Sequence, residues 1–193
     1  MQMVSMSAVF TPTRYKLSVD DYHKLGEAGI LSEDSRIELI EGDLIEMAPI
    51  GGPHMRCLNR LTRLLVTAVG DLAVVSVQNP VMLPPRSEPQ PDIALLRPGI
   101  DSAEARVPFA ADVLLIVEVA DSTLSYDSRI KLPLYAQAGI VETWIVDVHG
   151  QRIESFHAPS ASAYSRSATY ARGASISPLE LPAVSIRVDD LFG

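Results

Sequence analysis

The 193-residue chain has one cysteine, few basic residues relative to acidic ones, and no long apolar run. Cys57 alone excludes an intrachain disulfide and cannot form a zinc cluster, which indicates a reducing compartment. No apolar run approaches the ~20 residues that a membrane-spanning helix needs. The first ten residues also lack the basic start and apolar core of a signal peptide. We therefore expect a cytoplasmic protein that does not enter a membrane.

The charge balance is acidic, because 16 Lys and Arg residues against 24 Asp and Glu residues give a formal net charge of -8. This argues against a sequence-independent nucleic-acid binder with a broad basic surface. It does not exclude local binding, because a metal ion and a few cationic side chains can make a positive cleft on an acidic protein. The length suits one domain with a substantial core. We predict a flexible tail over residues 1–13 and a single domain over residues 14–193.

Periodicity predicts a helix, a hairpin and a second helix in the first third of the chain. Ser18 has the character of an N-cap, with acids in the first turn that follows it. Residues 36–47 alternate polar and apolar around Glu41-Gly42, which predicts a β-hairpin with a two-residue turn. Apolar residues at helical spacing predict an amphipathic helix over residues 53–69.

Short apolar runs predict the remaining strands, at residues 74–77, 81–83, 92–96, 113–119, 142–148, 152–157, 164–170 and 184–188. A second core helix is predicted over residues 125–138, with Pro133 inside it. Because proline lacks an N–H and clashes with the preceding turn, this helix must either start late or kink. The central order of helix, strand, strand, strand, helix and strand predicts a mixed sheet flanked by helices.

Two carboxylates lie in these apolar strands. Asp92 opens one strand directly after Pro91, and Glu118 lies near the end of another. A buried carboxylate is costly unless something pairs with it. Two of them with Lys131 downstream favour a hard-cation site for phosphate chemistry, with Asp92, Glu118 and the Val119 carbonyl as Mg²⁺ ligands. On spacing alone the alternative stays open that Asp92 caps its strand and Glu118 pairs with an arginine.

This order of motifs along the chain, with Pro91-Asp92 on one strand and Glu118 on the next, resembles the PD-(D/E)XK nuclease superfamily. It is more closely similar to the Uma-type family of restriction endonucleases. The matching stretches fall between about residue 15 and residue 157, and they are 36–47, His54, 91–94, 116–122, 131–136 and 139–148. The superfamily places its lysine two residues after the second acid, where this chain has Ala120. The resemblance implies that Lys131, on the following helix, supplies that lysine.

The resemblance implies a restriction endonuclease-like α/β (α+β) fold: a mixed central sheet flanked by helices, an N-terminal helix and hairpin, and C-terminal antiparallel strands. It implies a DNA endonuclease that uses Mg²⁺ or Mn²⁺ held by Asp92 and Glu118, with Lys131 assisting. A homodimer is expected by analogy, since such nucleases often pair subunits to cut both strands. Two alternatives stay open: an inactive binding or regulatory module, and a phosphodiesterase acting on RNA or small nucleotides.

Three further residues are candidates for supporting roles, and each has a structural alternative. Glu38 would be another acid at the metal site, or it would lie on the exposed face of a hairpin strand. His54 would contact phosphate or help to shuttle a proton, or it would be structural. Tyr135, one helical turn after Lys131, would line the same cleft or be a half-buried core residue.

Two aspartates offer further alternatives near these residues. Asp127 stands four residues before Lys131, so the two can form an ordinary pair on a solvated helix face. Asp121 is expected to cap the loop into that helix, or to bind the metal through water. Other chemistries lack support, because the chain has neither a nucleophile elbow nor a phosphate-binding glycine loop, and its histidines lack metal-ligand spacing.

Overall fold

Helix α1 (Val19–Glu27) is the first element of the computed structural model, which describes residues 13–32, 35–100 and 106–193. Ser18 caps the helix as predicted, because its hydroxyl accepts a hydrogen bond from the Asp21 N–H at 3.1 Å. The Asp21 carboxylate accepts the Ser18 N–H in return at 3.0 Å. The tail predicted over residues 1–13 lies outside the described residues, apart from Thr13.

The predicted hairpin consists of strands β1 (Ile37–Ile40) and β2 (Asp43–Glu46), which pair antiparallel. Glu41 and Gly42 form its turn with φ values of 49° and 82°. Both lie in the left-handed region that two-residue hairpin turns require. A side chain at Gly42 would also collide with Lys16, since a Cβ there would lie 2.7 Å from the Lys16 Cβ.

A six-stranded mixed sheet forms the centre of the protein. In chain order its strands are β3 (Val74–Val77), β4 (Ile93–Leu96), β5 (Val113–Ala120), β6 (Glu142–Asp147), β7 (Arg152–Pro159) and β8 (Tyr164–Ala171). The same order holds across the sheet. Strands β5 and β6 are parallel, and the other neighbours are antiparallel. The predicted mixed sheet is therefore confirmed.

Helices cover both faces of this sheet. Helix α2 (Gly52–Val69) packs on one face, against alternate residues that include Ile93 and Leu95. The intervening residues, such as Ala94, face a second apolar cluster that contains Leu134. Strands β4 and β5 are buried on both sides for this reason, which explains their nearly continuous apolar sequences. Within the described ranges, no helix combines the length and apolar character needed to cross a bilayer.

The second core helix runs through three consecutive segments: α3 (Leu124–Tyr126), a π-helical turn (Asp127–Lys131) and α4 (Leu132–Gln137). The late start that Pro133 suggested is not observed, because the helix begins at Leu124, one residue before the predicted start, and continues past Pro133. The wide turn is instead marked by a hydrogen bond from the Leu132 N–H to the Asp127 carbonyl, five residues earlier. Because the turn directly precedes Pro133, the chain stays helical in spite of the missing proline N–H.

Two predicted strands differ from the structure. Residues 81–83 form only isolated bridges, in which Met82 contacts Phe109 and Leu83 contacts Ser87. The flanking prolines account for this, because they cannot donate to a ladder. The strand predicted at 184–188 is shorter, since β10 (Ile186–Arg187) pairs with β9 (Ser175–Ile176) in a separate sheet. Strand β9 was not predicted, because two residues are too few to show alternation.

Candidate active site

Asp92 and Glu118 lie on neighbouring antiparallel strands at the same end of the central sheet. Asp92 directly precedes β4, and the register of β4 with β5 pairs Ile93 with Val117. The Val119 N–H donates to Asp92 Oδ2 at 2.8 Å. Asp92 is 9% exposed and Glu118 is 3% exposed. Both line a cavity of about 360 Å³, so the structure brings the two predicted metal ligands together.

Lys131 reaches the same cavity from the π-helical turn. Its Nζ lies 3.1 Å from Glu38 Oε2 and 3.2 Å from Glu118 Oε1. Burial lowers the pKa of Lys131, but the charges of Glu118, Glu38 and Asp127 outweigh burial, so the pKa lies above its usual value. The solvated pair with Asp127 is not formed, because the Asp127 carboxylate accepts the Thr123 hydroxyl at 2.6 Å. Lys131 is therefore a buried ammonium held among carboxylates.

Glu38 is a buried member of this group, at 2% exposed. Besides its contact with Lys131, it accepts the Gln90 N–H at 3.1 Å and the Tyr126 hydroxyl at 3.4 Å. The reading of Glu38 as the exposed face of a strand is wrong, because the hairpin packs against the segment before Asp92. The Leu39 carbonyl accepts the Glu88 N–H there at 2.8 Å.

Tyr135 contacts the site through Glu118 rather than through the cavity. Its hydroxyl donates to Glu118 Oε1 at 2.5 Å, and its side chain is fully buried rather than half-buried. Tyr135 is not among the residues that line the cavity. Lys131 and Tyr135 thus both engage Oε1, while Oε2 of Glu118 accepts no hydrogen bond from the residues that the structure describes.

His54 lies in the first turn of α2 and contacts Asp92. Its Nε2 is 3.1 Å from Asp92 Oδ1, and the Gln78 side-chain amide donates to the same oxygen at 3.3 Å. The Asp92 carboxylate is the main cause that raises the pKa of His54, with a smaller contribution from the Val119 backbone. The structure therefore places His54 beside one carboxylate of the candidate metal pair.

Two carboxyl groups of the site have pKa values above their usual range. Burial raises the pKa of Glu118 to about 8. The charge of Lys131 lowers this pKa, and the charges of Asp127 and Asp92 raise it further. Burial likewise raises the pKa of Asp127 to about 6, against a hydrogen bond from Thr123 that lowers it. Burial therefore favours the protonated forms of Glu118 and Asp127 in the metal-free site, and a bound cation would compete with those protons.

Sequence reasoning missed several parts of this site. Asp127 and Tyr126 line the cavity, although the i, i+4 spacing of Asp127 and Lys131 suggested only a surface pair. Gln78 lies in a loop, and nothing in the sequence pointed to its contact with Asp92. Asp121 lines the cavity as well, but it does not cap the following helix, which has no side-chain cap. Its Oδ1 instead lies 2.9 Å from His149 Nε2.

The carboxylate oxygens that line the cavity suit a hard divalent cation as ligands. Among residues 13–32, 35–100 and 106–193, no three His, Cys, Asp or Glu side chains converge closely enough to hold a metal unaided. Mg²⁺ does not need such a cage, since it keeps several waters and is usually bound by one or two carboxylates and substrate phosphates. Asp92 and Glu118 match that requirement in type and number.

The mixed sheet and its position between helices define a protein of restriction endonuclease-like fold. Residues 19–189 match the profile of the Uma2 family, described as "putative restriction endonuclease", and the chain belongs to this family. Among solved structures, a putative nuclease of the DUF820 group from Anabaena variabilis ATCC 29413 is 16% identical, with a TM-score of 0.71. The match covers 91% of this chain and 97% of that one, and it shows the shared fold. A comparison with curated proteins found no match.

Proposed function

We propose that the protein is a metal-dependent endonuclease that hydrolyses DNA phosphodiester bonds. Membership of a nuclease family supports the reaction class. The observation that carries the metal dependence is a group of buried acidic side chains, namely Glu38, Asp92, Glu118 and Asp127. Of these, Glu38 and Glu118 contact the ammonium of Lys131. Buried charge without compensation is costly, so a surplus of this kind favours a site that takes up a cation.

Asp92 and Glu118 would hold Mg²⁺ or Mn²⁺, with the Val119 carbonyl as a third candidate ligand. The Val119 N–H and the Gln78 amide orient Asp92 from two directions. The contacts to Oε1 of Glu118 fix that side chain and leave Oε2 for the ion. When bound, the metal supplies a Lewis acid for the phosphoryl oxygens and lowers the pKa of a bound water.

Lys131 has one hydrogen-bond donor to spare. Its ammonium carries three N–H groups, and Glu38 and Glu118 account for two of them. The third can bind the attacking water or a non-bridging oxygen of the scissile phosphate. The charges of Glu118, Glu38 and Asp127 raise the pKa of Lys131, so its ammonium form is favoured in the metal-free site and can donate hydrogen bonds there.

Arg36 is a candidate contact for the phosphate next to the scissile one. It is exposed and lines the cavity, and it forms no ion pair with any residue that the structure describes. The homodimer remains part of this proposal, because one such site cuts one strand and a second chain would supply the second cut. Light scattering with and without duplex DNA tests that part.

The decisive experiment measures cleavage of plasmid and single-stranded DNA with Mg²⁺, with Mn²⁺ and with EDTA. We expect Asp92→Asn and Glu118→Gln to lower the rate by about 100-fold or more, and EDTA to abolish cleavage. Glu142→Gln is the matched control. Glu142 is another buried carboxylate, but it accepts the Trp144 indole at 2.7 Å and the Leu179 N–H at 2.7 Å, and it does not line the cavity.

Each negative result has a defined meaning. Cleavage of RNA or dinucleotides alone would replace DNA as the substrate and leave the metal site intact. Absence of cleavage with every metal and substrate would reject the nuclease and favour the inactive binding module. An equal loss in Glu142→Gln would show that folding, rather than metal binding, limits the rate.

A further inference from the structure

Helix α2 differs in charge from the rest of this acidic chain. The chain has 24 Asp and Glu residues, yet α2 contains none of them and carries His54, Arg56, Arg60 and Arg63. The helix begins at the candidate active site, where His54 lines the cavity. From there it runs along one face of the sheet. A basic helix therefore leads away from an acidic cavity.

Arg56 and Arg63 lie on the face of α2 that is turned away from the sheet. The opposite face is buried, through Cys57, Leu58, Leu61, Leu65 and Val69. Arg56 and Arg63 are seven residues apart, so they are stacked two turns from each other, about 10 Å along the axis. Both are exposed, and neither forms an ion pair with another described residue. Arg60 differs, because it donates to the Leu191 carbonyl at 3.4 Å.

The cavity itself gives little electrostatic attraction for a polyanion. Its lining includes six acids, namely Glu38, Glu46, Asp92, Glu118, Asp121 and Asp127. The cations of the same lining are Arg36, Lys131 and, when protonated, His54. A nucleic-acid strand must therefore gain its favourable phosphate contacts mainly outside the cavity, where the chain offers exposed cations without partners.

We propose that the outward face of α2 binds the sugar–phosphate backbone of the strand whose phosphodiester bond enters the cavity. This inference rests on the proposed nuclease function and names the surface that holds the substrate. The ~10 Å between Arg56 and Arg63 along the helix axis lets the two side chains contact different phosphates of the same strand. Asn59 is exposed between them and can donate to a further phosphate oxygen.

The test measures how the affinity for fluorescein-labelled single-stranded DNA depends on salt, by fluorescence anisotropy in EDTA. The variants are Arg56→Gln, Arg63→Gln and the double variant. Each lost phosphate contact lowers the slope of log K against log salt by about 0.7 for a single strand. If the wild type and the double variant bind equally well near 1 M salt, the loss of two contacts changes the slope by about 1.4. The double variant then binds on the order of 25-fold more weakly at about 0.1 M salt.

Arg166→Gln is the matched control, because Arg166 is exposed on β8, at the sheet edge opposite β3. We expect it to leave the slope unchanged. Cleavage with Mg²⁺ at saturating substrate should keep its kcat in the double variant, while KM rises. The same salt titration with RNA and with duplex DNA of matched sequence measures whether Arg56 and Arg63 also contact the backbones of those nucleic acids. With B-form duplex, each lost contact should lower the slope by about 0.9.

Different results would reject the proposed nuclease function and the proposed binding surface on α2. If the wild type binds and cleaves while both arginine variants keep the wild-type slope, the α2 surface is rejected and the nuclease stands. If the Arg166→Gln slope falls as far as the slopes of the two single arginine variants, the effect is a general one of net charge and the inference is overturned. If the wild type neither binds nor cleaves any nucleic acid, both proposals fall.

Discussion

Glu118 and Lys131 form a buried ion pair in which Lys131 Nζ lies 3.2 Å from Glu118 Oε1. The Tyr135 hydroxyl donates to the same oxygen at 2.5 Å. One carboxylate oxygen thus takes both protein contacts, and the other has no hydrogen-bond donor in the described part of the chain. The two contacts to Oε1 hold the Glu118 side chain in place, and they leave Oε2 as the oxygen that a cation would use.

Replacing Lys131 by methionine separates chemistry from metal binding. We expect Lys131→Met to lose DNA cleavage while it keeps, or tightens, Mn²⁺ binding, because the competing ammonium is gone. Removing one partner of a buried ion pair costs about 3–5 kcal/mol in the free energy of unfolding. Calorimetric Mn²⁺ titration, urea unfolding and a cleavage assay together check these three outcomes.

Arg129→Met is the control for that variant, since Arg129 is exposed on the same π-helical turn. It should change neither stability nor cleavage by a measurable amount. A Lys131→Met protein that cleaves DNA at the wild-type rate would remove Lys131 from the reaction.

The metal-free protein should become less stable as pH rises through the neutral range. The pKa of Glu118 is raised from 4.5 to about 8 by burial, so the folded state binds more protons than the unfolded state between these values. Stability therefore falls with increasing pH over this window. The raised pKa of Asp127, from 3.8 to about 6, acts in the same direction at lower pH.

Urea unfolding in EDTA at several pH values measures this effect, with Glu118→Gln as the comparison. The glutamine does not titrate, so the variant should lose the part of the pH dependence above about pH 7, where Asp127, with a pKa of about 6, is largely ionised. Parallel curves for the two proteins would show that Glu118 ionises normally in the folded state.

Tyr135→Phe tests a residue that acts through Glu118. Loss of a partner of a metal-ligating carboxylate typically lowers metal affinity or activity by about 10–100-fold. We expect weaker Mn²⁺ binding with little change in packing, because the ring remains. Tyr164→Phe is the control: its hydroxyl bonds to Thr143 at 2.8 Å and to the Ile140 carbonyl at 2.9 Å, away from the cavity. Equal Mn²⁺ affinities in the two variants would contradict the role of Tyr135.

Cys57 should be nearly inert in the folded protein. It is buried in α2, and desolvation, followed by the charge of Asp92, raises the pKa of its thiol to about 12. Since the thiolate is the reactive form, modification by a thiol-specific disulfide reagent at pH 8 should be slow in the native state and fast in urea. Rapid native-state labelling would mean that the N-terminal half of α2 opens readily.

The sequence predicted the parts of the fold that local rules decide. The Ser18 cap, the Glu41-Gly42 turn and the apolar strands each follow from a pattern a few residues long. It also predicted that Asp92 and Glu118 share a site, because two carboxylates in apolar strands are costly unless something pairs with them, and the family resemblance implied the same pair.

The remaining parts depend on tertiary packing that leaves no local signature. The π-helical turn that carries Asp127 and Lys131 has the same composition as an ordinary helix turn. Glu38 alternates with apolar neighbours as an exposed residue would, and only the packing of the hairpin against Gln90 buries it. Gln78 contacts Asp92 from a loop with φ at 53°, a backbone position that periodicity does not address.

The π-helical turn makes the position of Lys131 sensitive to the deletion of a single residue. Deleting one codon among residues 128–130 would restore an α-helical turn and rotate the two flanking segments relative to each other by about 100°. Lys131 would then leave Glu38 and Glu118 while every site residue is still encoded. A chain with this deletion would keep every proposed site residue in its sequence and still lack the arrangement that the π-helical turn provides.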